Sequence, residues 1–293
     1  MRRTAGWDDR AFKAIVYLIL AAVFCVTFLP FLNILAISLN DATDSVRGGI
    51  SFWPRQFSLQ SYSTVMGDPQ IWGALRITVA RTVVGVPLSL FTITMLAYVL
   101  SRKDILGGKV LTFIFLFTMY FSGGLIPYYM VLKSLGLLDT FWVFILPNLV
   151  NVFYMIIVRT FIDGLPKELE ESAKIDGAND LQIFYKIYLP LCLPVLATVG
   201  MFLAIDQWNA WFDSYAFTSS IELKTLQAKL VQILNQADTS QMTSGANASI
   251  RQTISPQSIR MAITIIATLP ILLIYPLVQR FFAQGMTLGS VKM

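Results

Sequence analysis

Histidine is absent from the 293 residues, so the commonest metal ligand and the side chain best suited to proton transfer near neutral pH are both missing. Cysteine occurs only at Cys25 and Cys192, each within an apolar run near opposite ends of the chain, which suggests neither a disulfide nor a metal site. No Gly-x-x-x-x-Gly-Lys-Ser/Thr loop is present. Gly107-Gly108-Lys109 lacks the hydroxyl residue and a preceding strand, so the chain has no cradle for the phosphates of a nucleotide and cannot hydrolyse ATP by itself. Charge is scarce as well: 13% of residues are charged against 56% hydrophobic, a balance that excludes an ordinary soluble globular protein.

What the sequence has instead is length in its apolar stretches. Six runs can each cross about 30 Å of hydrocarbon as helices of about 20 residues: Ala14–Ile37, Arg76–Leu100, Lys109–Val131, Thr140–Thr160, Leu189–Phe212 and Gln257–Gln279. The expected architecture is an all-α polytopic membrane protein with six transmembrane helices, forming one membrane domain over residues 1–293. The first run follows the charged Met1–Lys13, has no small-residue cleavage site and exceeds a signal-peptide core, so it reads as a retained span. Basic residues set the orientation. Arg2, Arg3, Arg10, Lys13, Arg102, Lys103, Lys109, Arg159, Lys167, Lys174, Lys186, Arg280 and Lys292 all belong to segments that are inside when the N-terminus is inside, which puts both termini in the cytoplasm. The net charge of +5 expresses this bias and gives no sign of nucleic-acid binding. Two long loops, about 38–75 and 213–256, then face outward and suit a soluble partner. The sequon Asn247-Ala248-Ser249 in the second reads as coincidence.

On the inner side a long polar insertion covers about 161–190. Pro166 suits the first turn of a helix, Glu168, Glu170 and Glu171 sit where the amide dipole favours negative charge, and Gly177 can take the left-handed conformation that ends it. Asn179 or Asp180 then caps a second short helix, with Leu181, Phe184, Ile187 and Tyr188 spaced along one face. The residues alone allow a compact two-helix knob or an amphipathic pair lying on the membrane. Glu171-Ser172-Ala173, Gly177 and, after nine residues, Ile187-Tyr188-Leu189-Pro190 resemble the coupling loop of ABC importer permeases, whose pattern is Glu-Ala-Ala, three residues, Gly, nine residues, Ile-x-Leu-Pro. Only Ser172 departs from it, one small residue for another.

That resemblance implies a type I importer permease fold, with Glu171, Ser172, Ala173, Gly177, Ile187, Leu189 and Pro190 seating the knob in a cleft of a separate ATPase. The stretch Phe121-Ser-Gly-Gly-Leu-Ile-Pro127, continuing to Gly136-Leu-Leu-Asp-Thr140, resembles the maltose-type permeases that handle oligosaccharides and polysaccharide fragments, including the alginate importer. The end of the chain resembles the tail by which such permeases reach the ATPase interface, with Gly285, Thr287, Gly289 and Lys292 matching and Met293 replacing a final glycine.

Polar residues inside the spans mark where cargo would pass. Breaks at Ser122-Gly-Gly124 with Pro127, and at Pro147 with Asn148 and Asn151, persist at membrane depth only where protein or water satisfies the freed backbone. Asp206, Asn209 and Asp213 fall at helical spacings of three and four, a face suited to sugar hydroxyls, and Trp208 or Trp211 can stack on a pyranose ring. The same residues also suit an interfacial aromatic belt with a structural Asp. Arg81 either pairs with Asp206, lines the path where it meets an acidic sugar, or snorkels to the outer interface. Asn151, with Asn148, and Tyr154 are pathway candidates that equally suit helix-to-helix bonding.

By this resemblance the chain is half of the translocation path for a carbohydrate in a bacterial cytoplasmic membrane, an oligosaccharide with acidic chains such as alginate fragments among the candidates. Its implied partners are a second homologous permease, an ATPase dimer that holds ATP and Mg, an extracytoplasmic binding protein, the carbohydrate and membrane lipid. No cofactor or metal is expected in this chain, and no enzymatic activity. The alternative is an ion-driven secondary transporter, which calls for inverted repeats and several intramembrane carboxylates or histidines; no repeat is visible and Asp206 is the one clear carboxylate.

Overall fold

The computed structural model describes residues 7–102, 104–243 and 256–288, chiefly by their backbone at 7–10, 236–243 and 274–288. In chain order the helices are α1 (Trp7–Ser38), α2 (Ala42–Ser45), α3 (Gln60–Met66), α4 (Pro69–Ser101), α5 (Gly108–Tyr120), α6 (Leu125–Ser134), α7 (Val152–Asp163), α8 (Glu168–Ile175), α9 (Asp180–Ile183), α10 (Leu189–Leu191), α11 (Leu193–Asn209), α12 (Phe212–Phe217), α13 (Leu226–Thr243) and α14 (Pro256–Leu288). Among the described residues there is no strand, and one isolated bridge joins Asn40 to Phe57.

The spans are less simple than six straight rods. Two described helices, Ala11–Ser38 and Pro69–Ser101, are long and apolar enough to cross a membrane alone. Three more candidates are bent pairs: α5 with α6 at 117°, Phe141–Asn148 with α7 at 45°, and Asp180–Leu191 with α11 at 77°. Each bend has a local cause. Gly124, at φ +88°, lets the chain turn after α5, and Asn151 caps α7 afresh. At the third, Pro194 occupies the first turn after Cys192, where a missing N–H is harmless. Pro127, expected as a breaker, lies inside α6 instead. The sixth run lies in α14 (Pro256–Leu288), where the described side chains include the apolar stretch Gln257–Leu273.

The chain divides into two compact units, Met1–Pro69 with Gln232–Leu269 and Gln70–Val231 with Pro270–Met293. In the first, the segment expected as an outer loop is braced. Asp41 caps α2 through the Thr43 and Asp44 amides, Asn40 and Arg55 both donate to Asp44 Oδ2, and Asn33 Nδ2 donates to the carbonyls of Ile50 and Ser51 at 2.8 and 2.7 Å. Ala36, Ile37 and Ile50 close the apolar side. Asn247 and Ser249 lie outside the described residues.

The second unit carries the main core. Ile93 and Ala97 of α4, Val158 of α7, Ile183 of α9 and Val199 of α11 are fully buried together. Gly200 permits the close packing of α4 on α11, since a Cβ there would stand 3.0 Å from Leu90 Cδ1. Leu132, Val143, Phe144, Ile145 and Phe217 form a second cluster beyond the breaks.

Candidate functional site

The polar insertion folds as a two-armed knob. Lys167 precedes α8, whose first turn carries Glu168, Glu170 and Glu171 as the dipole favours. Gly177 stands at φ +79° with nothing within 4 Å of where a Cβ would be, so the corner needs glycine for its backbone and not for lack of room. Asn179, not Asp180, caps α9; its side chain accepts from the Gln182 amide while Gln182 reaches back to the Asn179 amide. The chain then passes through a wider π-type turn, Phe184–Tyr188, into α10 and the 77° bend at Cys192. The apolar face expected along this arm is partly corrected. Ile183, Phe184 and Tyr188 are buried, but Leu181, in the first turn of α9, is 66% exposed. Glu171, Ser172, Gly177 and Pro190 are exposed, Ala173, Ile187 and Leu189 half-buried, and Ile175 joins Leu181 as a bare apolar tip.

A group that the spacing did not reveal ties this knob to the end of α4. The Arg102 guanidinium donates to Asp180 Oδ1 at 2.5 Å, to both Asp104 oxygens at 3.2 and 3.0 Å and to Tyr98 Oη at 3.0 Å, and lies 3.7 Å from Glu170 Oε1. Glu170 also receives Lys174 Nζ at 2.7 Å and the Tyr188 hydroxyl at 2.8 Å. Burial disfavours the Glu170 carboxylate, yet the Lys174 and Tyr188 hydrogen bonds outweigh it and hold its pKa below the ordinary value. One cation therefore joins both arms of the knob to α4.

Among the described residues the breaks enclose an open-sided cavity of about 630 Å³ in the same unit. Asn148, Asn151, Asp206, Asn209, Trp211 and Asp213 line it, with Arg81, Tyr128 and Gln207. Asn151 accepts from the Tyr154 amide, Asn209 accepts weakly from Gln227 at 3.4 Å, and the Tyr154 hydroxyl donates to Asp206 Oδ2 at 2.7 Å. Tyr154 itself is buried and stacks on Phe202 behind the wall.

Three expectations change here. Asp213 does not continue the Asp206–Asn209 helical face, because α11 ends at Asn209, Ala210 is extended and Asp213 lies in the first turn of α12. Trp208 is buried and lies outside the lining, whereas Trp211, beyond the break, belongs to it. Arg81 neither snorkels nor pairs with Asp206. It is 1% exposed and grips Asp213 through two hydrogen bonds of 3.0 and 2.6 Å. Its remaining contacts are Gln207 Oε1 at 3.0 Å, the Ala210 carbonyl at 3.3 Å and the Phe144 ring 4.8 Å away. Gln207 fits because position 85 is glycine; a Cβ there would meet Gln207 Nε2 at 3.1 Å. In the tail, Gly285 and Thr287 fall in the last turns of α14, while Gly289 and Lys292 lie outside the described residues.

Residues 5–288 match the family described as the binding-protein-dependent transport system inner membrane component. The chain is 41% identical over 291 residues to the polygalacturonan/rhamnogalacturonan transport system permease protein YtcP of Bacillus subtilis, covering 97% of this chain and 99% of that one. It is 27% identical to the arabinooligosaccharides transport system permease protein AraQ of Halalkalibacterium halodurans, over 93% of this chain and 94% of the relative. Among solved structures, a chain of a bacterial ABC transporter involved in the import of the acidic polysaccharide alginate superposes with a TM-score of 0.86 at 30% identity, covering 95% of this chain and 99% of that one.

Proposed function

The chain belongs to the family of inner membrane components of binding-protein-dependent transport systems, and from that membership we propose how it works. It is the permease subunit of a sugar ABC importer, a transport subunit whose ATPase is a separate protein. Its cargo is an oligosaccharide released from a larger polysaccharide, in line with the substrates named for its relatives. Six spans cross the membrane, three of them broken, with both termini and the two-armed knob in the cytoplasm. The knob docks on the ATPase dimer, which binds ATP and Mg, and its bare Ile175 and Leu181 enter the cleft. The braced segment before α4 and the helix α13 face the extracytoplasmic binding protein. A second homologous permease completes the path.

The observation that carries this reading is the cavity of about 630 Å³ whose polar lining gathers where two spans break. Asn148, Asn151, Asp206 and Asn209 present amides and a carboxylate for sugar hydroxyls, and Trp211, 38% exposed, offers a ring for a pyranose. The test is Asn209→Leu in the assembled importer. Uptake should fall at least severalfold while basal ATP turnover and abundance stay unchanged, because Asn209 lies at the far end of α11 from the knob. Wild-type uptake by this variant removes Asn209 from the path.

A further inference from the structure

Arg81 is the one cation among the described residues lining the cavity, and the structure consumes it. A guanidinium has five N–H donors. Here four are engaged: Nε–H on Gln207, both Nη1 hydrogens on Ala210 and Asp213, and one Nη2 hydrogen on Asp213. Phe144 covers its face and only 1% of the side chain remains exposed. The Arg81 and Asp213 charges cancel at 2.6 Å, which leaves the Asp206 carboxylate as the uncompensated charge of the lining. Tyr154 donates to one Asp206 oxygen, Oδ2, and the exposed residue lines the cavity, which leaves its second oxygen as an acceptor there. The rest of the described polar lining, Tyr128, Asn148, Asn151, Gln207 and Asn209, is neutral.

We propose that this chain's wall of the path selects uncharged, hydroxyl-bearing faces of the saccharide and turns any carboxylate of an acidic sugar toward the opposite wall. Asp206 accepts from a sugar hydroxyl and repels a uronate at the same place, while the Arg81–Asp213 pair serves structure by holding the α11–α12 break in shape. An acidic cargo would therefore pass in a fixed rotational setting, its anionic edge read by the second permease. This inference rests on the cavity being part of the path.

Charged thiol reagents test it without knowledge of the cargo. In the assembled importer, Cys25→Ala removes the exposed thiol and Cys192 is buried, so Leu125→Cys or Asn209→Cys supplies a reporter on the lining. The labelling rates of a cationic and an anionic methanethiosulfonate are measured on this chain, with and without Asp206→Asn. One unscreened charge within about 8 Å should bias the cation-to-anion rate ratio by roughly tenfold, reduced by salt, so Asp206→Asn should lower that ratio at least threefold at low ionic strength. The comparison isolates this wall from charges on the partner. A ratio that is unchanged or raised by Asp206→Asn overturns the proposal. If neither reporter is labelled in any nucleotide state, the cavity is not part of the path, and both that reading and the proposal fall. The Leu125→Cys ratio without the second substitution should exceed that of the same position in an Asp206→Lys background, which keeps the test usable if Asp206→Asn assembles poorly.

Discussion

Replacing Arg102 by alanine should uncouple the importer without dismantling its membrane core. Arg102 is 11% exposed and its contacts differ in weight. The Asp104 pair is local and lies on a carboxylate 67% exposed, so it contributes little. The contacts that cross from α4 to the knob are Asp180, 65% exposed but at 2.5 Å, and Glu170, 19% exposed at 3.7 Å. Discounted for solvent, they sum to about 1–2 kcal/mol, a factor of roughly 5 to 30 in the population of a correctly placed knob. Glu170 keeps Lys174 and Tyr188 and is not orphaned, which limits the damage to placement. The assay is ATP turnover and uptake in proteoliposomes, with and without loaded binding protein. Stimulated turnover should fall severalfold toward the basal rate, and uptake per ATP should fall with it. Arg102→Lys, which retains charge but loses the planar fork, should lie between. A double-mutant cycle with Asp180→Ala should give a coupling of about 1 kcal/mol. Full stimulation and uptake by Arg102→Ala at wild-type abundance would refute the reasoning.

Gly177→Val should also uncouple: a β-branched residue at φ +79° costs about 1–3 kcal/mol, and Gly177→Asn, which tolerates that region, should retain more stimulated turnover than valine. Glu171→Lys should reduce stimulation through the α8 dipole while leaving the knob's protease resistance intact. Because the Glu170 pKa is held below its ordinary value of 4.5, its contribution to anchoring the knob is complete above that pH and is lost as the pH falls through the depressed value. The protection factors of residues 168–190, taken relative to the intrinsic exchange rate at each pH, should therefore fall on acidification below about pH 4.5, and Glu170→Gln should flatten that fall.

Local chemistry was the legible part of this protein. The Gly177 corner, the acidic first turn of α8 and the Asn179 cap each depend on residues within one or two turns of each other, and so does the break at Asn151. What the sequence concealed was pairing at long range. Arg102 meets Asp180 at a separation of 78 residues and Arg81 meets Asp213 at 132, and no periodicity encodes such a choice. The Trp208 and Trp211 roles were open for a different reason. A wheel drawn through an unbroken helix cannot place residues beyond Asn209, where the backbone leaves the helical path and turns Trp211 toward the cavity. Exposed apolar helices were the third obscurity: no residue of α5 is buried in this chain, so its apolar pattern points to no face of the core.

The bend at Cys192 makes the knob and α11 a bell crank. The arm Asp180–Leu191 meets α11 at 77°, a geometry in which a push along the one would become a swing of the other. α11 has 17 residues, a lever of about 25 Å at 1.5 Å per residue. A rotation of roughly 5° about the bend would carry its Asn209 end by about 2 Å, comparable with the span of a single hydrogen bond. The Arg81–Asp213 grip, with Gln207 wedged against Gly85, sits at that swinging end. A small angular stroke at the knob, if it docks as proposed, would thus reach the cavity wall as a displacement of a hydrogen bond's size while the Arg81–Asp213 grip keeps the break in shape, a mechanical gain obtained from one kinked corner.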